Sequence, residues 1–537
     1  MKSFNLLLLL LCVAYCFAQP NTDVFLFDLN TQNGTFELSN MKNISKNEGY
    51  DNQPSFMDNS TIFYVGTRNS QTDIVRYNVN YGSKIFINHT EGGEYSPLKI
   101  PEQNAVSAIR LDPDGKQFLY RYNLSNGESE ILIDDVIIGY HVWYTDNIIV
   151  SSVLEDGGLS LYTNDIIQKK SFLQQKNIGR SLHRIPNTNL VSYISKEDEN
   201  DWKIKSLNPN SGQTKMITST VTKGAEDMCW LPDGTILMGY ENKLYTFKPN
   251  KDSDWKEASS LEQFKINNIT RVSVSPDGTK LAIVGEGGTS TSQESENTND
   301  TSTNNDTNSG NTTDVNYDAG AVVQKHIEPY NQQNLDSFAN AFSEEVVVYY
   351  FPKKEMYKGR QTLRANYKRS FENNKNLSVL VDKRMVLKNM VIDEEIATVN
   401  KQTIRQATIY STSPDGIETM TFVQNTDVTS NPEIVVNKQL EAYNSEDLEA
   451  FTATFTNDVK LYEYPDKETS SGINALKESY KNWFDRVENL NAKVTSRIVI
   501  GNKVIDKEEV SANGQVFHAI AIYEVQNGKI KKVTFIQ

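Results

Sequence analysis

Val272-Ser273-Val274-Ser275-Pro276-Asp277-Gly278-Thr279-Lys280-Leu281 sets an alternating apolar stretch against a Pro-Asp-Gly turn and the start of a second strand. Pro presets the φ of a tight turn and Gly accepts a positive φ, so the decapeptide predicts two antiparallel strands joined by a turn. The same punctuation recurs upstream as Asp58-Asn59-Ser60, Pro113-Asp114-Gly115 and Pro232-Asp233-Gly234. Aligning first strands on Pro54, Pro97, His141, Leu182, Met228 and Val272 gives spacings of 43, 44, 41, 46 and 44 residues, the length of one four-stranded propeller blade. The last unit has only Arg271–Ser275 and Lys280–Val284, while Asp23–Leu29 and Thr35–Leu38 have no first half. Residues 19–286 are therefore expected to be an all-β, six-bladed propeller, closed by pairing its start with its end so that no edge strand is left open.

Downstream the period changes to 113 residues. Tyr330 matches Tyr443, Phe338 matches Phe451, Phe342 matches Phe455, Gly359 matches Gly472, Tyr367 matches Tyr480 and Phe371 matches Phe484, all at one offset. Each copy opens with helical spacing (Val323, Ile327, Tyr330; Leu335, Phe338, Phe342; Leu363, Tyr367, Phe371) and continues as strands, in the second copy Ala492–Ile500, Lys503–Val510, Phe517–Val525 and Lys529–Ile536. Helices first and an antiparallel sheet after predicts two α+β domains, 319–427 and 431–537. Between the propeller and these copies, Gly287 to Asn316 is mostly Thr, Ser, Asn and Gly, with five acidic residues, no Lys or Arg and Val315 as its one aliphatic side chain. Such a composition has little apolar surface to offset the entropy of ordering, and 287–318 is expected to be a disordered linker.

The start of the chain, Met1 to Ala18, has Lys2, an apolar run from Leu6 to Val13 and a small residue before Gln19-Pro20, the pattern of a signal peptide for a periplasmic or secreted protein. No later apolar run approaches the roughly 20 residues of a membrane span. Of the 3 cysteines, Cys12 and Cys16 leave with that leader, and Cys229 sits in an apolar run where a buried thiol is expected. With 54 basic against 69 acidic residues the net charge is −15, which disfavours nucleic acid and anionic lipid as partners. His141 and His183, on neighbouring first strands, are expected to be structural and one step out of register with each other. No metal site or cofactor is anticipated.

The strand-to-turn pattern of 272–281, together with Gln53-Pro54-Ser55-Phe56, Ile62-Phe63-Tyr64 and Asp73-Ile74-Val75-Arg76-Tyr77, resembles the TolB-like six-bladed propellers. Ala442-Tyr443-Asn444-Ser445-Glu446-Asp447-Leu448-Glu449-Ala450-Phe451, Gly501-Asn502-Lys503-Val504-Ile505-Asp506 and Ala519-Ile520-Ala521-Ile522-Tyr523-Glu524-Val525 resemble the SnoaL-like, nuclear transport factor 2-like family. That second resemblance implies a curved sheet wrapped by helices into a cone around an apolar pocket, with Tyr349, Phe351, Tyr462 and Tyr464 as pocket residues. Some members are ketosteroid isomerases, whose chemistry needs a carboxylate base and an oxyanion site. The matching base positions hold Phe351 and Tyr464, the oxyanion tyrosine falls on His326 and Gln439, and the protonated acid falls near Thr408 and Ala521. Neither copy has the isomerase set. Asp506, Glu508, His518 and His326 are the remaining acid/base candidates.

The expected function is that of an exported, non-catalytic binding protein. Its propeller would meet a protein or glycan, and its cones would hold an apolar small molecule or associate with one another, including as a homodimer. The alternative is an enzyme of the SnoaL-like type acting on a small apolar substrate through a cone acid/base pair.

Overall fold

The computed structural model describes residues 20–287 and 317–537, apart from positions 375, 401, 427 and 429. The expected leader, Met1 to Ala18, and nearly all of the expected linker, 287–318, lie outside the described residues. The chain is mostly β, with few helices. Residues 23–287 form six four-stranded antiparallel sheets. Five are sequential meanders whose first strands are Asn52–Phe56, Gly93–Lys99, Ile138–Trp143, Ile178–Arg184 and Asp227–Trp230. The sixth joins Ile266–Val274 and Lys280–Gly287 to Asp23–Asn30 and Glu37–Asn43 from the start of the region. There Phe25 faces Ile283 and Phe27 faces Leu281 across the antiparallel pair, and all four side chains are fully buried. Gly278, with φ of 74°, occupies the left-handed position that the Pro-Asp-Gly turn requires.

The first strand of each sheet packs beside the first strand of the next, from Asn52–Phe56 in turn to Ile266–Val274, and Ile266–Val274 packs beside Asn52–Phe56. Apolar clusters fill the seams between successive sheets, for instance Ile100, Ile109, Ile138 and Val153 between the second and third.

Each α+β unit has three helices and a six-stranded sheet. In the first, α1 (Ala319–Asn331), α2 (Leu335–Asn340) and α3 (Arg360–Asn373) accompany strands Phe342–Tyr350, Lys354–Lys358, Ser378–Leu387, Met390–Val399, Gln402–Ser413 and Gly416–Val423. In the second, α4 (Glu433–Asn444), α5 (Leu448–Ala453) and α6 (Ile473–Phe484) accompany Phe455–Glu463, Lys467–Ser471, Asn491–Ile500, Lys503–Ala512, Gln515–Gln526 and Lys529–Ile536. Strand order is the same in both sheets, with the first strand parallel to the last. Phe342 and Phe455, assigned to a helix by their spacing, are instead the first residues of strands. Asp318 and Asn334 cap α1 and α2, and Asp447 caps α5, each accepting a backbone N–H of the first turn.

Alternation gives each sheet two faces. One carries the aromatic layer against the helices. The other face of the first unit packs on the same face of the second: Met385, Ile392, Ala407, Ile409 and Val423 meet Ile498, Ile505, Ile520, Ile522 and Ile536. These sets correspond position by position at the 113-residue offset, so the contact is isologous, as in a two-fold dimer. Burying each isoleucine contributes about 2 kcal/mol. At the rim Lys353 Nζ lies 3.2 Å from Asp466 Oδ1, again equivalent positions.

The first unit also docks on the six-sheet region. Ile85 packs with Leu380 and Ile396, and Tyr81 lies against Ile327, Val379 and Val381. Ser83 Oγ accepts the Val381 N–H at 3.0 Å, and Arg76 pairs with Asp382 at 2.5 Å.

Candidate functional site

Asp506 and Glu508 stand two residues apart on strand Lys503–Ala512, so both point to the helix side of the second sheet, where Val504 and Val510 join the core. Asp506 takes a bidentate pair from Arg497, with Nε and Nη2 each at 2.6 Å. Glu508 accepts one hydrogen bond, from the Tyr523 hydroxyl at 2.9 Å. Burial pushes its carboxyl up to about 7, against the opposing pull of that hydroxyl, so it holds a proton well above the ordinary carboxylate range.

His518 is not part of this arrangement. It is exposed and lies across from Glu509, whereas Glu508 lies across from Ala519. His518 and Glu508 therefore stand on opposite faces of the sheet, and no acid/base pair forms between them.

The first unit carries the same frame with more partners. Asp393 is held by Arg384 at 2.7 and 2.6 Å. Glu395, the counterpart of Glu508, receives Tyr410 OH at 2.7 Å, Thr408 Oγ1 at 2.8 Å and Gln406 Nε2 at 2.8 Å. His326 on α1 lies with Nε2 3.3 Å from the Tyr410 hydroxyl and donates Nδ1–H to the Val323 carbonyl at 2.5 Å. Burial lowers the imidazole to about 3, so it is neutral, and burial with the nearby Asp393 charge raises Glu395. Thr408 thus bonds the Glu395 carboxyl directly and His326 meets the tyrosine that donates to it, an arrangement that their separation in sequence hides. Their counterparts, Gln439 and Ala521, cannot do the same: Ala521 has no hydroxyl, and the buried Gln439 Oε1 has no hydrogen-bond partner.

The four residues assigned to a cone pocket need correcting. Val346 and Val348 in one copy, and Val459 and Leu461 in the other, face the helices. Alternation then puts Tyr349, Phe351, Tyr462 and Tyr464 on the opposite side. Phe351 and Tyr464 pack in the layer between the two sheets, and Tyr464 OH is 3.1 Å from Thr421 Oγ1. Tyr462 donates to Glu468 at 3.1 Å near the sheet edge.

On the helix side, aromatic rings occupy the interior. Phe338 and Tyr367 have ring centroids 4.4 Å apart and Tyr330 and Phe371 5.6 Å; the counterparts Phe451 and Tyr480 are at 4.4 Å and Tyr443 and Phe484 at 5.7 Å. A depression of 610 Å³ lies along α4, lined by Ile434, Val435, Lys438, Ala442 and Ala450, and neither Glu508 nor Tyr523 borders it.

In the six-sheet region His141 Nε2 is 2.8 Å from Ser107 Oγ, and His183 Nε2 is 3.2 Å from Ser181 Oγ, so the two histidines make separate contacts. Cys229 is buried and its thiol is pushed up to about 12 by that burial, which leaves it unreactive at neutral pH. Among the described residues no group of three His, Cys, Asp or Glu side chains is placed to hold a metal ion, and no helix is long and apolar enough to cross a membrane.

Residues 436–533 match the SnoaL-like domain family. No curated protein matches the chain. Among solved structures, a TolB-type protein from Agrobacterium tumefaciens is 12% identical with a TM-score of 0.40, covering 49% of this chain and 98% of its own. A cystatin-fold protein from Novosphingobium aromaticivorans is 20% identical with a TM-score of 0.19, covering 20% of this chain and 99% of its own. An NTF2-like protein of unknown function from Cytophaga hutchinsonii is 18% identical with a TM-score of 0.17, covering 21% of this chain and 93% of its own.

Proposed function

We propose that the chain is an exported, non-catalytic binding protein: a closed six-bladed propeller that meets its ligand, carrying a within-chain pair of SnoaL-like cones. Closure is supported by the cyclic adjacency of the six first strands and by the sheet that unites residues 23–43 with 266–287. Duplication of the cone is supported by the shared element and strand order of the two units. The observation that carries the functional reading is the state of the cones. Their open sheet faces are buried on each other and their interiors are packed with aromatic rings, so the propeller is the surface left for recognition. Export rests on the Met1–Ala18 pattern.

A second reading has one observation in its favour. Glu508 has lost the partners that surround Glu395, and a carboxyl poised near neutral pH can act as an acid or base on a small apolar substrate. One preparation tests both. The full chain, recovered from the exported fraction, is examined by native mass spectrometry and assayed for isomerisation of a β,γ-unsaturated ketone. A co-purifying ligand retained in Glu508→Gln supports the binding protein. Turnover lost in that variant overturns it in favour of the enzyme.

A further inference from the structure

Each of the six sheets contributes one polar or aromatic residue from its first strand or from the residues leading into it. These are Tyr50, Tyr95, Tyr140, Arg180, Asp227 and Arg271, so three tyrosines stand on one side and an Arg-Asp-Arg set on the other. They converge. The Tyr50 and Tyr95 rings are 6.3 Å apart, and the Arg271 guanidinium reaches from the last sheet to within 5.6 Å of the Tyr140 ring on the third. Asp227 sits between the arginines, taking Arg180 Nε at 3.2 Å and Nη2 at 2.7 Å, and Arg271 Nη1 at 3.0 Å. Tyr50 is raised chiefly by burial and feels the charges of Arg271 and Arg180 together with Tyr140 and Tyr95.

The charges do not cancel. Glu226 is shared by Lys196 at 2.9 Å and Arg180 Nε at 3.9 Å, and Asp227 by Arg180 and Arg271, so three cationic groups stand against two carboxylates. A local cationic surplus therefore sits in a chain of net charge −15. A guanidinium offers five N–H donors, and Arg271 Nε and Nη2 have no acceptor among the described residues. The Tyr50 and Tyr140 hydroxyls make no hydrogen bond there either.

We infer that this ring is a binding site for a carboxylate, received by Arg271 opposite Asp227 and flanked by the tyrosine faces and hydroxyls. A planar fork matches a planar carboxylate, and Asp227 already demonstrates the fit from the protein side. The inference rests on the propeller reading, since it makes the ring the mouth of the central channel. The carboxylate has two available sources, a polypeptide C-terminus and an acidic sugar.

Isothermal titration of the full chain separates these, using acetyl-trialanine as free acid and as amide, and galacturonate against galactose. One of the acids is expected to bind, and its neutral partner not. Arg271→Gln is expected to weaken that binding by about ten-fold or more, the loss of one charge-assisted fork. Arg271→Lys, which keeps the charge and loses the fork, gives a smaller loss and serves as the second variant if the first unfolds. Binding of galactose or the amide with no response to Arg271→Gln overturns the carboxylate site and leaves the binding protein standing. Silence of all four probes, with no ligand co-purifying, overturns both.

Discussion

The two α+β units share one frame and differ in what covers them. In the first, Leu380 and Ile396 face each other across neighbouring strands and bury themselves against Ile85 of the six-sheet region. The same cross-strand position in the second unit holds Lys493 and Glu509. Asp382, which receives Arg76, is replaced by Thr495. Docking is thus written in a few side chains on one sheet edge, and the fold beneath is indifferent to it. The carboxyl pair teaches the same lesson inside the cone: three donors surround Glu395 and one remains at Glu508.

Making the first unit resemble the second is the harshest way to break this comparison. Leu380→Lys removes a fully buried side chain and puts an unpaired ammonium in its place, at a cost of about 3 kcal/mol or more. Small-angle scattering is expected to report separation of the six-sheet region from the cones. Adding Ile396→Glu restores a Lys–Glu pair, so the cones stay folded while the docking stays lost; a compact double variant would show that docking does not depend on this patch.

Next in size is the pH dependence of the second unit. Glu508 binds its proton more tightly folded than unfolded, so its contribution is complete below the ordinary carboxylate range. That contribution is lost as pH rises through about 7. The difference amounts to about 3 kcal/mol, and urea midpoints followed by Trp483 fluorescence are expected to fall from pH 5 to pH 8. Glu508→Gln is expected to flatten that slope, and an unchanged slope would remove Glu508 as its source.

A smaller contrast comes from the tyrosines. Tyr410→Phe strips a donor from Glu395 and a neighbour from His326, for about 2 kcal/mol. Tyr523→Phe strips one bond from Glu508, for about 1 kcal/mol; equal losses in thermal melts would mean that the additional partners in the first unit add nothing. The smallest effect belongs to the rim. Lys353→Asp sets two carboxylates together at a half-exposed pair, for about 0.5 kcal/mol, and Lys353→Asp with Asp466→Lys is expected to restore the native midpoint.

Much of this architecture was legible because it repeats. The Pro-Asp-Gly turns mark strand pairs in several sheets, and a constant offset of 113 residues relates the residues of the two α+β units, which share one element order. The candidate sites were less legible, and bulges are the main reason. Register shifts interrupt the first strand of every sheet but the fifth, between Asn52 and Ser55, Tyr95 and Leu98, Ile138 and Tyr140, Ile178 and Leu182, and Asn267 and Arg271. These interruptions, at a different place in each strand that has one, leave Tyr50 four positions ahead of its alignment anchor and Arg271 only one, so the ring has no common spacing to find. Glu395 and Tyr410 were missed for another reason. Each sits in a strand full of apolar neighbours, and only the pleat reveals that they share a face. Phe351 and Tyr464 were placed in a pocket because family likeness speaks of sequence position, whereas the face a residue occupies depends on strand parity.

The meeting of equivalent faces also alters how this molecule responds to dilution. Between two separate chains a self-complementary contact dissociates as concentration falls, and its axis must place a residue opposite its own copy. Here the short connection from Val423 to Glu433 replaces the concentration of a partner with a fixed effective concentration, on the order of millimolar for short tethers. Pairing of the cones then becomes a first-order event, indifferent to how much protein is present. It also frees the two halves to diverge at the axis itself, where a lysine now meets an aspartate instead of another lysine.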